Sequence, residues 1–237
     1  MTAIPLALIG MGKMGRALAA LAPEAGFRVV AELDPARPDY AGVTRDALSG
    51  AAVAIDFTTP GAAAENARAC ARAGCPVVVG TTGWYDQLDA VAADVEHAGG
   101  AILTAPNFSV GVALFDRIVA EAARLYGRLG RAADARIVET HHAAKVDAPS
   151  GTAGALARTA SAALGREVPI TSIRVGHVPG THELIFDSAF EQVRLVHEAR
   201  DRRVFAEGAL MAARWLVGRK GRFTLQDVLS DSASAGA

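Results

Sequence analysis

Through its first hundred residues the chain alternates short apolar runs with alanine-rich helical stretches, and few folds can absorb that rhythm. "LALIG" (Leu6–Gly10) is wholly apolar and ends in glycine, the pattern of a parallel strand buried on both faces. "KMGRALAALAPEAG" then reads as a helix stopped by Gly26. "RVVAEL" is a second strand and "AVAIDFT" (Ala52–Thr58) a third. "GAAAENARACARAG" is a helix with Gly74 at its end, and "CPVVVG" a fourth strand. "DQLDAVAADVEHAGG" and "AILTA" add another helix and strand. Strands alternating with helices imply a parallel sheet with right-handed crossovers, an α/β layer fold.

After Asn107 the rhythm changes. A long helical pattern over Val110–Leu129 leads to the strand "ARIVET", a polar segment, and an alanine-rich helix ending near Leu164. "ITSIRVG", "HELIFDSAF" and "EQVRLVHEA" follow as three strands without intervening helices, so this region reads as α plus mixed or antiparallel sheet. "VFAEGALMAARWLVG" is expected as the closing helix, and the small polar tail "SDSASAGA" as disordered.

A chain of 237 residues accommodates one large or two small domains. Lys and Arg number 24 against 25 Asp and Glu, so no global field favours nucleic acid or an anionic membrane. Nothing approaches the roughly 20 apolar residues that span a bilayer, and the start lacks a basic leader. A cytoplasmic protein is expected. Cys70 and Cys75 have the wrong spacing for a CxxC pair and lack companions for a metal site; they read as buried thiols, and no metal is expected.

Gly10, Gly12 and Gly15 form G-x-G-x-x-G between a strand and a helix. The first glycine permits a tight turn, the second lets backbone approach a pyrophosphate, and the third lets helix pack on strand. The helix N-terminus offers N–H groups to the anion, and Lys13 adds a charge there. Glu32 ends the second strand, 22 positions after Gly10, where an acid binds a ribose 2′-hydroxyl. The next residue is Leu33, so nothing adjacent greets a 2′-phosphate, although Arg37 is close. A Rossmann-like, doubly wound domain that favours NADH over NADPH is the expectation. "GTTG" (Gly80–Gly83) and "APNFSVG" (Ala105–Gly111) follow the fourth and fifth strands, and together favour further cofactor contacts.

"ETHHAAKVDAPSGTA" (Glu139–Ala153) concentrates proton carriers and anion-binding groups. In an extended segment neighbours point to opposite sides, so His141 and His142 should do different jobs. A histidine can deliver a proton near neutral pH, and Lys145 supplies charge or a second proton. Ser150 or Thr152 can cap the helix that follows, whose amides make a carboxylate-sized anion site. Together these describe a site for a small anionic substrate that is protonated beside a hydride donor. Another small-substrate reductase, such as an amino-acid dehydrogenase, and a non-catalytic NADH sensor are the alternatives.

The "ETHHAAKVDAPSGTA" segment, with "GMGKMG", "IDFTTP", "GTTG", "APNFSVGV" and "HEARDRRVFAEGAL", resembles the 4-hydroxy-tetrahydrodipicolinate reductase (dihydrodipicolinate reductase) family over nearly the whole chain. The resemblance implies a dinucleotide-binding domain over 1–107 and 204–237, and an α+β substrate-binding and oligomerisation domain over 108–203 that builds a homotetramer. It implies that His141 is the proton donor and Lys145 the catalytic lysine, with His142, Ser150, Gly151 and Thr152 on the carboxylates of a small dicarboxylate substrate. Cofactor contacts would come from Gly10, Met11, Gly12, Lys13, Met14 and Gly15, from Gly80, Thr81 and Thr82, and from Ala105, Pro106, Asn107 and Phe108. The implied reaction, in the diaminopimelate route to lysine, is hydride transfer from nicotinamide to a conjugated C=C of a cyclic imine dicarboxylate. The phosphate loop departs from the family's commoner G-x-x-G-R-M-G form, and the segment after Glu32 is short and lacks the adjacent basic residue.

Overall fold

The computed structural model describes residues 2–38, 40–130 and 133–234. The chain divides into two compact units, one spanning Met1–Phe108 and Arg203–Ala237, the other Ser109–Arg202.

The first unit opens with β1 (Ile4–Ile9), α1 (Lys13–Leu21), β2 (Phe27–Leu33), β3 (Val53–Asp56), α2 (Pro60–Ala73), β4 (Val77–Val79), α3 (Leu88–His97) and β5 (Ala101–Thr104). β3, β4 and β5 are buried at every residue, which is why their sequences are apolar without alternation. Alanines let α2 and α3 approach closely: Ala63, Ala67, Val91 and Val95 pack against Ala7, Ile9, Ala54, Val77 and Val79. Cys70 and Cys75 are buried free thiols in the same cluster, and burial pushes both up, Cys75 to about 12.

The second unit contains α4 (Val110–Gly127), β6 (Asp134–His141), α5 (Gly151–Leu164), β7 (Ile170–Arg174), β8 (Thr181–Asp187) and β9 (Gln192–Glu198). Its strands are ordered β7-β6-β8-β9, with β6 and β7 parallel and the other pairs antiparallel. Phe115, Val119 and Ala123 of α4 and Leu156 and Ala160 of α5 meet Ile137, Leu184 and Phe186 of the sheet, and Tyr126 stacks on Phe186.

The chain then returns to the first unit as α6 (Arg203–Leu216), β10 (Gly221–Thr224) and α7 (Leu225–Ser234). The parallel sheet therefore has six strands, in the order β10-β5-β4-β3-β1-β2. β2 lies on one side of β1 and β3 on the other, so the winding reverses at β1. In such sheets the crevice outside the carboxyl ends of the strands at the reversal takes the ligand.

Two expectations fail here. The helix at Arg203–Leu216 does not close the chain, because β10 pairs in parallel with β5 and α7 follows. The polar tail is helical through Ser234, while 235–237 lie outside the described residues. "GRFT" is too short to read as a strand and becomes one only by pairing at the sheet edge. α7 starts with a side-chain cap that was visible in "TLQD": the Asp227 carboxylate accepts from the Thr224 amide and hydroxyl at 2.7 and 2.8 Å.

Candidate active site

In the first unit the predicted cofactor residues gather at the carboxyl edge of the parallel sheet. The three glycines of the phosphate loop differ in what they permit. A Cβ on Gly10 would lie 2.4 Å from the Phe57 carbonyl oxygen, and φ there is +92°. A Cβ on Gly15 would lie 2.1 Å from the Gly10 carbonyl oxygen, so α1 can begin against the loop only without one. At Gly12 nothing lies within 4 Å of the Cβ position. Gly10 and Gly15 are thus demanded by packing, and Gly12 keeps open ground in front of the helix. No side chain caps Gly12 and no acid occupies the first turn of α1, which leaves that end suited to a pyrophosphate. Gly12 and Lys13 are exposed, Met11 and Met14 half-buried, and the Met11 carbonyl accepts from Arg16 Nη1 at 3.3 Å.

Glu32 pairs in register with Leu8 at the end of β2 and is exposed. Leu33 turns the other way and packs on the core. The Asp34 carbonyl accepts from the Arg37 amide at 2.9 Å, so Arg37 sits in the turn directly after β2.

Phe57, which sequence reasoning did not assign, joins three of these loops. Its carbonyl abuts Gly10, its ring would be 2.2 Å from a Cβ on Gly80, and it meets Phe108 edge-on at 6.1 Å between centroids. Beside it lies Asp56, wholly buried. Its carboxylate accepts from the Thr58 amide and hydroxyl (3.1 and 2.9 Å), Asn66 Nδ2 (2.8 Å) and the Thr81 hydroxyl (2.8 Å). Burial pushes this carboxyl up, against the pull of those hydrogen bonds. Thr81 is therefore spent on the protein: its hydroxyl also accepts the Thr58 amide, and its carbonyl accepts Trp84 Nε1 at 2.8 Å. Thr82 and Pro106 are exposed, Asn107 is half-buried, and Ala105 is buried.

In the second unit β6 alternates strictly, turning Ala135, Ile137, Glu139 and His141 inward. The apolar core thus passes into a polar site along one strand face. His141 Nδ1 hydrogen-bonds Glu139 Oε2, and the other Glu139 oxygen accepts from Arg174 Nη2 at 2.7 Å and the Ser150 amide at 3.3 Å. Burial alone would raise the Glu139 carboxyl; hydrogen bonds from Arg174, Ser172 and His141 overcome it and hold it at about 2. His141 is drawn below its usual range by burial and by the charges of Lys145 and Arg174, while Glu139 pulls the other way. His182 meets the His141 ring edge-on at 5.2 Å and is pushed down to about 4, chiefly by burial.

His142, just past the strand end, is half-exposed and lines a cleft of about 580 Å³ with His177, Arg200 and Arg202. Lys145 Nζ pairs with Asp147 at 2.6 Å. Ser150 caps α5, accepting the Ala153 amide at 3.1 Å, and its hydroxyl also meets His182 Nε2 at 3.1 Å. It is buried and faces inward, whereas Gly151 is exposed in the first turn of α5. Glu139, His141 and His182 could each offer a ligand atom within 4.8 Å of the others, but Glu139 and His182 are already bonded to Arg174, His141 and Ser150. The pairing of Glu139 with His141 was legible as E-x-H within a strand, since residues two apart share a face. Arg174 and His182, brought in from β7 and β8, had no such local signal.

Residues 4–108 match the family model described as dihydrodipicolinate reductase, N-terminus, and residues 111–229 match its C-terminus. The chain belongs to the dihydrodipicolinate reductase family. The 4-hydroxy-tetrahydrodipicolinate reductase of Methanoculleus marisnigri is 42% identical over 194 residues, covering 75% of each chain. That of Alkalilimnicola ehrlichii is 35% identical, covering 94% of this chain and 98% of its own. Among solved structures, a dipicolinate-bound dihydrodipicolinate reductase from Paenisporosarcina sp. TG-14 shares the fold, with a TM-score of 0.76 at 23% identity over 94% of this chain and 98% of that one. The Rossmann-like first unit of this reductase family member is a nicotinamide-dinucleotide domain, and the open ground at Gly12 fits that cofactor's pyrophosphate.

Proposed function

We infer that this chain reduces 4-hydroxy-tetrahydrodipicolinate to tetrahydrodipicolinate in diaminopimelate and lysine biosynthesis, with a nicotinamide cofactor. The observation that carries the chemistry is the buried His141, held by Glu139 and flanked by Lys145 in a family of reductases.

The phosphate loop from Gly10 to Gly15 holds the pyrophosphate, with Lys13 adding charge, while Glu32 accepts from the adenosine ribose. The loops at Gly80–Thr82 and Ala105–Phe108 flank the nicotinamide; Thr81 acts there by fixing its loop rather than by lending its hydroxyl. When bound, the cofactor supplies a hydride. Loss of the substrate's 4-hydroxyl as water gives the conjugated C=C that takes the hydride. His141 gives a proton to the carbon adjacent to the one reduced, and Lys145 offsets the negative charge that develops on the ring. Gly151 and Thr152 hold one substrate carboxylate at the start of α5. His142 serves the other, in a cleft whose Arg200 and Arg202 suit an anion. Ser150 shapes this cradle from within, as the cap of α5.

NADH is the preferred cofactor, though not the exclusive one. Glu32 repels a 2′-phosphate, Leu33 offers it no donor, and Arg37 is the nearest compensating charge. The chain works as a cytoplasmic homotetramer assembled through the sheet of the second unit, where Ile173 on β7 and Val196 on β9 are about half exposed.

Absorbance of NADH, followed with freshly generated substrate, tests the reading. Substrate-dependent oxidation of NADH is expected; oxidation indifferent to the substrate, or none, would contradict it.

A further inference from the structure

Glu139 has no exposed surface, yet its carboxyl is held ionised, a state that persists in a protein interior only with close compensation. Arg174 provides it, and is itself fixed by two main-chain carbonyls, Nη1 on Ile173 at 2.7 Å and Nη2 on Asp147 at 2.6 Å. The arrangement is therefore a chain: backbone holds guanidinium, guanidinium holds carboxylate, carboxylate holds imidazole. An ionised carboxylate only accepts, so the Nδ1 it faces carries a hydrogen whether the ring is neutral or charged. Nε2 is then the nitrogen that gains and loses the working proton. That nitrogen is kept clear by Gly180, where a Cβ would come within 3.0 Å of it.

We propose that Glu139, anchored by Arg174, is a positioning residue that fixes the tautomer of His141 and stabilises its protonated form, so that the proton always leaves from Nε2. This rests on the role given to His141 above. The groups facing the imidazole are Glu139 on its own strand, Arg174 on β7, His182 on β8 and Lys145 in the following turn. Among these, Glu139 is the only anion. Burial, Lys145 and Arg174 already draw the ring below its usual range. Without Glu139 nothing among these groups would oppose them, the protonated form would be harder still to reach, and neither nitrogen would be favoured for the proton.

Nitrogen-15 NMR of the histidine rings in the wild-type protein tests this without any variant: neutral His141 is expected to carry hydrogen on Nδ1. Glu139→Gln, nearly the same shape without the charge, should lower the His141 titration midpoint by about one pH unit or more. It should also lower the turnover number by about 10²-fold while leaving NADH affinity unchanged, and Glu139→Asp should recover part of the titration midpoint. A neutral wild-type His141 with hydrogen on Nε2 would overturn the proposal. So would an unchanged His141 titration in Glu139→Gln, even with turnover lost. Should wild type show the predicted tautomer and titration but no substrate-dependent NADH oxidation, the reading of function fails and the coupling of Glu139 to His141 stands.

Discussion

The Thr81 hydroxyl donates to the buried carboxylate of Asp56 at 2.8 Å and accepts the Thr58 amide at the same distance. Two loops at the carboxyl edge of the sheet, after β3 and after β4, are thereby tied to one charge. Removing it would leave four donors facing a cavity. Asp56→Ala should lower the unfolding free energy by about 2–4 kcal/mol and weaken NADH binding. Urea unfolding with parallel calorimetry checks both; a loss under about 0.5 kcal/mol would show that the loops stand without the carboxylate.

The glycines of the phosphate loop should separate stability from binding. Gly15→Ala drives a Cβ to 2.1 Å from the Gly10 carbonyl oxygen and should destabilise the fold, whereas Gly12→Ala meets nothing within 4 Å. For Gly12→Ala the expected result is an unchanged melting temperature with NADH affinity reduced about tenfold, since a methyl there stands where phosphate must approach. Equal loss of stability in both variants would refute the distinction.

Acid should weaken the second unit through His182. Above pH 6.5 this imidazole is neutral in both the folded and unfolded chain and has no effect on stability. Below that, the unfolded chain takes up a proton that the folded chain resists until about pH 4. Stability therefore falls across that window, by roughly 3 kcal/mol at about 1.4 kcal/mol per pH unit. His182→Gln should flatten the pH dependence of urea unfolding between pH 6.5 and 4; a slope equal to wild type would place the titration elsewhere.

Cofactor choice should hinge on Glu32 rather than Leu33. Glu32 is exposed at the end of β2, but Leu33 packs on the core, so Leu33→Arg would sacrifice burial for its new charge. Glu32→Gln should move the NADH-to-NADPH affinity ratio toward NADPH by about three- to tenfold, the effect of losing one charge-assisted hydrogen bond and one repulsion. Calorimetry with both cofactors at fixed salt decides it, and tighter NADPH binding by wild type would reverse the proposed preference.

Local patterns carried much of this in advance. The strand–glycine–helix step at Leu6–Gly15 and the distance to Glu32 were legible because a pyrophosphate turn is built from consecutive residues. The polar run after Glu139 stood out for the same reason. Other features were set by tertiary pairing: β10 exists because Gly221–Thr224 adds to the edge beside β5. The inward turn of Ser150 likewise depends on His182, 32 residues away. Phe57 was hidden because it reads as one more apolar strand residue, although its carbonyl and ring are what require glycine at positions 10 and 80.

The central claim, that His141 delivers the proton in a nicotinamide-dependent reduction, is tested most directly by single-turnover and steady-state NADH oxidation in wild type and His141→Ala. With freshly generated substrate, the variant should retain wild-type NADH affinity and lose about 10²–10⁴-fold in turnover. A folded His141→Ala protein that turns over near the wild-type rate would contradict the account.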